Sequence, residues 1–272
     1  MPKTLREEFP SVLDVFYRDY QKHRHVSEIM SKEVAMIEET ATMLDAAKIM
    51  GKRHIGSLLV KGREKPAGIV TERDLLTRVI AANKDPKKVK VFDVMSPRLI
   101  TIKPQATIRE AARTMIKEKG RLVVMEERDL VGILTASDLI RSLPEAPETS
   151  TLVSKFMTRH VASAEHNAKV RDIARKMGKE RIGSVIIKKG EKPWGIFTER
   201  DLLTKVIYMG GNLDEVVEKY SSTPLITIGI DCSIHKAAQM MAAKHVRRLP
   251  VLEGSKLTGI ITARDLVEAY AI

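Results

Sequence analysis

Short apolar runs and amphipathic stretches alternate along this chain in a fixed order. Residues 99–102, Leu-Ile-Thr-Ile, are long enough for a short strand, and residues 107–115 place apolar side chains on one helix face. That second stretch opens with a threonine followed three residues later by a glutamate, which has the form of a helix-starting capping box. Apolar runs such as 57–60 and 68–70 flank a charged turn with Gly and Pro, and a second helix begins at Asp74. The pattern predicts the order strand, helix, strand, strand, helix.

This order occurs four times, because the sequence repeats itself. Residues 61–80 and 188–207 are identical at 15 of 20 positions, with an offset of 127. The related segments 132–138 and 259–265 each lie 64 residues after their counterparts in those two stretches. Internal similarity at a fixed period indicates a repeat architecture. A unit of about 60 residues buries little surface alone, so we expect the units to pair.

The repeats predict the domain boundaries. They are an N-terminal helical extension at 1–25, repeat 1 at 26–82, repeat 2 at 91–143, a linker at 144–152, repeat 3 at 153–209 and repeat 4 at 217–271. Residues 5–20 have near-helical apolar spacing, which predicts a helix that covers the core of the first repeat. A partner-docking arm is the alternative for this segment.

Composition narrows the class of protein. Hydrophobic residues make up 43% of the chain, which is typical of a globular protein. Cys232 is the single cysteine, no apolar run approaches the roughly 18 residues of a membrane span, and the N-terminus lacks a signal-peptide pattern. We therefore expect a cytoplasmic protein without a membrane partner.

The charge balance favours anionic partners. Lys and Arg number 47 against 35 Asp and Glu, a net charge of +12. Such an excess suits nucleotides, nucleic acid or a membrane surface, although a highly charged solvated surface is an equally simple explanation. His23 and His25 lack further ligands at metal-binding spacing, and no catalytic signature motif occurs. We therefore predict no metal site and no catalytic residues.

Each repeat carries a hydroxyl and a carboxylate three residues apart at a strand-to-helix turn. The pairs are Thr71/Asp74, Thr135/Asp138, Thr198/Asp201 and Thr262/Asp265. A carboxylate can accept both hydrogens of a ribose diol, and the helix N-terminus beside it suits a phosphate. Helix capping is the purely structural alternative, and both roles are compatible.

Basic residues precede the second strand of each repeat and are candidates for phosphate contacts. They are Arg53 and His54, Lys119 and Arg121, Lys179 and Arg181, and His245, Arg247 and Arg248. Charge-assisted hydrogen bonds to phosphate suit these side chains. Solvated charges at a helix C-terminus are the alternative.

The repeat order and the recurring Gly-hydrophobic-hydrophobic-Thr-x-x-Asp motif resemble the cystathionine-β-synthase (CBS) domain family, over about residues 26–271. Four copies resemble the γ subunit of AMP-activated protein kinase and its stand-alone prokaryotic relatives. The resemblance implies an α+β fold of four CBS repeats, paired into two Bateman modules that form a flat pseudo-symmetric disc.

The resemblance also implies composite sites, in which the Thr-x-x-Asp of one repeat faces the first strand of the other repeat in its module. Thr71/Asp74 would face residues 99–101 with Arg121, and Thr198/Asp201 would face residues 225–227 with Arg247 or Arg248; these two sites would be complete. Asp138, facing Met36, and Asp265, facing Ser163, would have less complete sets. The implied adenine-side strand residues are Leu99, Ile100, Thr101, Leu225, Ile226, Thr227, Ser163 and Met36.

The implied function is a non-enzymatic sensor that binds AMP, ADP or ATP and regulates an unknown partner protein, with a homodimer as a possible assembly. The alternatives are a nucleic-acid binder that uses the basic surface, a binder of S-adenosylmethionine or NAD(H), and a scaffold with vestigial sites. Guanine nucleotides also belong to the family's ligands.

Overall fold

The computed structural model describes residues 24–143 and 149–271. The predicted N-terminal helix and most of the predicted linker lie outside these residues. Within the described part, no helix is both long enough and apolar enough to cross a membrane.

Each repeat contains one three-stranded sheet in which the first strand lies parallel to the second and the second antiparallel to the third. The strands are β1 Met36–Ile37, β2 Ser57–Val60 and β3 Gly68–Thr71 in repeat 1; β4 Ile100–Ile102, β5 Leu122–Glu126 and β6 Asp129–Leu134 in repeat 2; β7 Ser163–Glu165, β8 Ser184–Lys189 and β9 Lys192–Thr198 in repeat 3; and β10 Ile228–Gly229, β11 Arg248–Glu253 and β12 Lys256–Thr262 in repeat 4.

Two helices accompany each sheet. The first helices, between strands one and two, are Met43–Lys52, Ile108–Glu118, Val170–Glu180 and Ile234–Ala243. The second helices, after strand three, are Glu72–Asp74 continued by Leu75–Ile80, Ala136–Ser142, Glu199–Asp201 continued by Leu202–Tyr208, and Ala263–Ala271. Short helical turns open the repeats at Val26–Ile29, Val91–Val94, Val153–Lys155 and Val217–Tyr220. The predicted mixed α+β class with four repeated units is confirmed.

Three details of the strand and helix predictions were wrong. The second helix of repeat 1 begins at Glu72 rather than Asp74, because Thr71 caps it and Asp74 is its third residue. Residues 225–227 precede strand β10, whose parallel pairing starts only at Ile228. The neighbouring strand carries Pro250, which has no N–H to offer to a longer ladder. Leu99 similarly lies one residue before β4.

The second helices of repeats 1 and 3 widen into π-helices after their aspartates, over Leu75–Ile80 and Leu202–Tyr208. In both, a threonine donates its hydroxyl to the carbonyl four residues earlier: Thr77 to Arg73 at 2.8 Å and Thr204 to Arg200 at 2.7 Å. Such a bond competes with the backbone ladder and distorts it. Long π-helices are rare and often lie at functional sites.

The chain forms two compact units, each built from alternate repeats. Unit 1 comprises residues 1–33, 100–160 and 227–272, and unit 2 comprises residues 34–99 and 161–226. Unit 2, with the elements of repeats 1 and 3, has a continuous core that includes Met50, Leu76 and Phe197. Unit 1, with the elements of repeats 2 and 4, buries residues such as Leu122 and Leu249 completely.

The segment before each repeat's first strand bridges to the third strand of another repeat in the same unit. The antiparallel bridges join Ser31 to Ile133, Ser96 to Ile69, Thr158 to Ile260 and Ser222 to Ile196. The third-strand edge of each sheet is therefore bridged at one point by a residue that lies outside its own three strands.

Candidate functional site

The turn between β3 and the second helix of repeat 1 places Thr71 against Asp74. The Thr71 hydroxyl donates to Asp74 Oδ2 at 2.7 Å, and the Thr71 amide donates to the same oxygen at 3.0 Å. The Asp74 amide donates back to the Thr71 hydroxyl at 3.3 Å. This reciprocal capping box folds the sequence locally, because it satisfies amides that a helix start leaves without partners.

The other three repeats build the same turn. Thr198 and Asp201 repeat it with an Oγ1–Oδ2 distance of 2.6 Å, Thr135 and Asp138 with 2.7 Å, and Thr262 and Asp265 with 2.8 Å. Four carboxylates thus stand at equivalent places, and Asp74, Asp138 and Asp201 are buried. The aspartates and threonines therefore do cap their helices. Each capping interaction uses only one oxygen of the carboxylate.

The partner of the second carboxylate oxygen, Oδ1, differs from repeat to repeat. Asp201 Oδ1 lies 2.7 Å from Lys205 Nζ, and Asp74 Oδ1 lies 3.4 Å from Arg78 Nε. Asp138 Oδ1 contacts Arg141. Among the described residues, Asp265 has no such cation, and Glu268 lies one helical turn away from it. Burial raises the pKa of the Asp265 carboxyl above its usual value, opposed by hydrogen bonds from Thr262.

Arg78 and Lys205 also join the aspartates to the segment that leads into the next repeat. Arg78 Nη1 donates to the carbonyl of Met95 at 3.3 Å, and Lys205 Nζ donates to the carbonyl of Tyr220 at 3.0 Å. These two side chains are positioning residues that fix the carboxylate orientation. Their roles were not predicted, although a basic residue lies four positions after the aspartate in both Thr-Glu-Arg-Asp turns.

A hydroxyl from the bridging segment is a second missed feature. Ser222 donates to Asp201 Oδ1 at 2.8 Å, and Ser31 donates to Asp138 Oδ1 at 3.4 Å. Ser96 and Thr158 hold the corresponding bridge positions in the other two repeats. The signal in the sequence was a hydroxyl residue after methionine or serine before each repeat's first strand.

Two buried glutamates lie in the same turns of unit 2. Glu72 and Glu199 are 3% and 5% exposed, and each pairs with an arginine of the other repeat. Arg200 Nε lies 3.2 Å from Glu72 Oε2, and Arg73 Nε lies 3.0 Å from Glu199 Oε1. The corresponding positions of unit 1 carry Ala136 and Ala263. No role was predicted for these glutamates.

The predicted phosphate-binding cations fall into two groups. Arg248 pairs in register with Thr262 across β11 and β12, so the two side chains share one face of the sheet. Arg121 holds the equivalent place in repeat 2, directly before β5, whereas Ser57 and Ser184 hold it in repeats 1 and 3.

The remaining cations lie around the ends of the first helices. His54, Lys119, Arg181 and His245 all adopt the left-handed backbone conformation there. Arg53 directly follows the first helix of repeat 1 as its C-cap, Lys179 lies in the last turn of the first helix of repeat 3, and Arg247 directly precedes β11.

The predicted adenine-side residues are distributed over both units. Met36 begins β1 and Ser163 begins β7, both in unit 2, whereas Ile100 and Thr101 lie in β4 of unit 1. The composite sites predicted from Asp74 with Arg121, and from Asp201 with Arg247 or Arg248, combine residues of different units. These combinations stay predictions. No cluster of metal-ligating side chains is found among the residues that the structure describes.

Comparison with known proteins identifies the class. The CBS domain family model matches four stretches, residues 26–81, 91–145, 153–208 and 217–272. The chain belongs to the CBS-domain family, with four copies of the domain.

Among individual proteins, the chain is 38% identical to uncharacterized protein MK0525 of Methanopyrus kandleri over 128 residues, which cover 45% of this chain and 65% of that relative, just under two thirds. It is 24% identical to MJ1225 of Methanocaldococcus jannaschii over 275 residues, covering 89% of this chain and 96% of that protein. The crystal structure of MJ1225, proposed as an archaeal homologue of g-AMPK, superposes with a TM-score of 0.78 at 22% identity over 90% of this chain and 99% of that one. A conserved protein from Pyrococcus horikoshii superposes with a TM-score of 0.65 at 20% identity, again over 90% and 99%.

Proposed function

We propose that this protein is a non-catalytic regulatory module that binds adenine nucleotides, AMP, ADP or ATP, and acts on a partner protein. The observation that carries the proposal is the fourfold turn in which a threonine and an aspartate are held together at the start of a helix, within a chain of the CBS-domain family. A capping role alone does not require the same pair at all four places, since Ser, Asn and Glu also serve as cap partners.

The ribose is the part of the ligand that the aspartates would bind. A carboxylate has about four lone-pair positions, and the capping bonds from threonine occupy only Oδ2. In repeat 3, Oδ1 of Asp201 already accepts from Ser222 and Lys205, so a ribose hydroxyl would join or replace these donors. In repeat 4, no hydrogen bond or ion pair from a described residue occupies Oδ1 of Asp265, and this residue is half-buried, so this carboxylate is the most accessible acceptor.

The phosphates would be bound by cations on the same sheet face as the threonines. Arg248, in register with Thr262, and Arg121, at the equivalent place beside Thr135, are the candidates in unit 1. A guanidinium suits a phosphate because it can donate two parallel hydrogen bonds.

A thermal-shift panel tests the proposal. The full chain is heated with AMP, ADP, ATP, GTP, NADH, S-adenosylmethionine or short duplex DNA, in parallel with the Asp74→Ala/Asp201→Ala variant. A ligand at about 100 times its dissociation constant adds roughly 2.7 kcal/mol of stability to the state that binds it. We expect adenine nucleotides to raise the melting temperature of the native chain and to raise that of the variant less.

Asp45→Ala is the matched control. Asp45 forms the same capping box with Thr42, with an amide-to-carboxylate distance of 3.0 Å, but at the start of the first helix of repeat 1. This variant should lose stability as the others do and keep its full response to nucleotide. If duplex DNA raised the melting temperature at low salt only and nucleotides did not raise it, the aspartates would be helix caps and the basic surface would bind nucleic acid.

A further inference from the structure

The reciprocal ion pairs of unit 2 link its two candidate nucleotide sites. Glu72 and Asp74 are the first and third residues of one helical turn, and Glu199 and Asp201 are the first and third residues of the other. Arg200, from the second turn, reaches Glu72, and Arg73, from the first turn, reaches Glu199. Each turn therefore supplies one buried carboxylate and one arginine to the other turn.

The same arginines make a second attachment. Arg73 Nη1 donates to the carbonyl of Arg181 at 3.2 Å, and Arg200 Nη1 donates to the carbonyl of Ile55 at 3.2 Å. Both carbonyls belong to the segment between the first helix and the second strand of the opposite repeat. A guanidinium bound at two points leaves a turn little freedom to move alone, because its movement would expose a buried carboxylate without its cation.

We propose that occupation of the Asp74 site and of the Asp201 site is positively coupled through the Glu72–Arg200 and Glu199–Arg73 pairs. The inference rests on the proposed function, since it concerns the regulation of those same sites. A nucleotide that holds one turn in its bound conformation holds the other turn in that conformation through the shared pairs. The second nucleotide then binds more tightly because part of the ordering has already occurred.

Unit 1 lacks the chemistry for this coupling. The glutamate positions are Ala136 and Ala263, and the arginine positions are Ser137 and Arg264. An alanine provides no carboxylate, so Asp138 and Asp265 have no equivalent connection. The proposal therefore predicts one coupled pair of sites and two sites without that route of coupling.

Isothermal titration with AMP tests the coupling in an Asp138→Ala/Asp265→Ala background, which removes the two unit 1 carboxylates. Here we expect cooperative binding to the two remaining sites, with the second affinity about fivefold or more above the first. Adding Glu72→Gln and Glu199→Gln should reduce this ratio to that of independent sites. The matched control adds Glu39→Gln and Glu191→Gln, two exposed glutamates of unit 2, and should keep the cooperativity.

Hydrogen exchange provides a second measurement. With Asp74→Ala in the same background, AMP can use only the Asp201 site, yet it should slow amide exchange in residues 71–80 as well. Changing both arginines to lysine, as Arg73→Lys and Arg200→Lys, should reduce this distant protection. Each arginine contacts the carboxylate through Nε and the carbonyl through Nη1, whereas a lysine offers a single nitrogen that does not occupy both positions. If the glutamine variant does not fold, the lysine variant tests the coupling in its place.

The outcomes separate the two proposals. If neither the native chain nor the background chain releases heat with any adenine nucleotide, the proposed function fails and the coupling fails with it. If the native chain binds and the background chain does not, the Asp74 and Asp201 sites do not bind nucleotide, and the coupling alone is overturned. If it binds AMP at two independent sites, or if cooperativity survives loss of the glutamates and the arginine substitutions, the coupling is overturned and the nucleotide-binding function stands.

Discussion

The two units contain the same local motif in different surroundings. Both form the threonine–aspartate box twice, with nearly equal hydrogen-bond lengths. In unit 2 the flanking residues are also repeated, since both copies read Thr-Glu-Arg-Asp-Leu-Leu-Thr. In unit 1 the copies read Thr-Ala-Ser-Asp-Leu-Ile-Arg and Thr-Ala-Arg-Asp-Leu-Val-Glu. Unit 2 is thus a symmetric pair of turns linked by buried charges, whereas unit 1 has two turns that have diverged.

The comparison shows that the threonine and aspartate are sufficient to form the turn. The residues beside them in the sequence determine whether one turn is connected to another. The residues one and two positions before the aspartate determine whether the two turns share charges, and the residues three and four positions after it determine whether the carboxylate is joined to a cation. The packing of helices inside unit 2 is also close. Gly178 of unit 2 lies against Ala81, where an added Cβ would be 2.4 Å from the alanine methyl.

The largest expected effect is the loss of the reciprocal ion pairs. Replacing both arginines in an Arg73→Ala/Arg200→Ala variant leaves Glu72 and Glu199 buried without their cations. Because the arginine side chains are 49% and 28% exposed, solvent reduces the cost, and we expect unfolding to become easier by about 2–3 kcal/mol. Urea denaturation measures this difference. Arg264→Ala in unit 1 is the control and should cost less than about 0.5 kcal/mol; equal costs for the two variants would contradict the contrast between the units.

A methyl group at Gly178 should have the next largest effect. Gly178→Ala gains helix propensity of about 1 kcal/mol but must displace Ala81, and overpacking of this kind costs about 1–3 kcal/mol. We expect a net loss of about 1 kcal/mol by thermal or urea unfolding. Adding Ala81→Gly should recover stability, and a double-mutant cycle without interaction energy would show that the two helices do not meet as described.

The capping boxes should be nearly equivalent in the two units. Thr198→Ala in unit 2 and Thr135→Ala in unit 1 each remove one hydroxyl from the same turn, with an expected loss of about 1 kcal/mol. Serine at either place keeps the hydroxyl and should keep most of the stability. Equilibrium unfolding of the four variants checks this, and a large difference between the two alanine variants would show that the surroundings, rather than the box, set its strength.

The smallest effect concerns pH. The folded-state pKa of Asp265 lies above its unfolded value near 3.8, mainly because of burial, so the folded chain retains this proton to higher pH. Its contribution to stability therefore falls as pH rises from about 3.8 through the folded-state pKa. Asp265→Asn should remove this fall.

The pKa of Asp45 in unit 2 is shifted on folding in the opposite direction. The Thr42 hydroxyl and amide lower its pKa, so its contribution is present above about 3.8 and is lost as pH falls through the lower folded-state value. Urea titrations of the two asparagine variants against the native chain, at several pH values, should show slopes of opposite sign. Slopes of one sign would contradict the assignment of Asp265 as the carboxyl disfavoured by burial.

Most of the fold could be predicted from the sequence because the same order of strands and helices occurs in all four repeats. The strand and helix order followed from apolar spacing, and the capping residue Thr107 was correctly identified at the start of its helix. The predictions failed where a partner strand decides the outcome. Residues 225–227 are apolar enough for a strand, but Pro250 on the neighbouring strand shortens the ladder.

The candidate site was predictable only in part. The threonines and aspartates are close in sequence, so their turn was visible from spacing. The pairing of Glu72 with Arg200 joins residues of different repeats, and nothing in a single sequence indicates which of many charged residues are buried. The role of Ser222 was hidden for the same reason, because it reaches Asp201 through a bridge between a connecting segment and a strand.

The alternation of repeats between units has a consequence for genetic dissection. The chain passes from one unit to the other at four places, between residues 33 and 34, 99 and 100, 160 and 161, and 226 and 227. Neither unit corresponds to a continuous stretch of coding sequence, so no single truncation yields one unit intact. A single proteolytic cut, wherever it falls, likewise leaves the units joined by other crossings. Insertions or duplications that preserve both units must therefore add material to each of them at once, which favours growth of such a gene by blocks of two repeats.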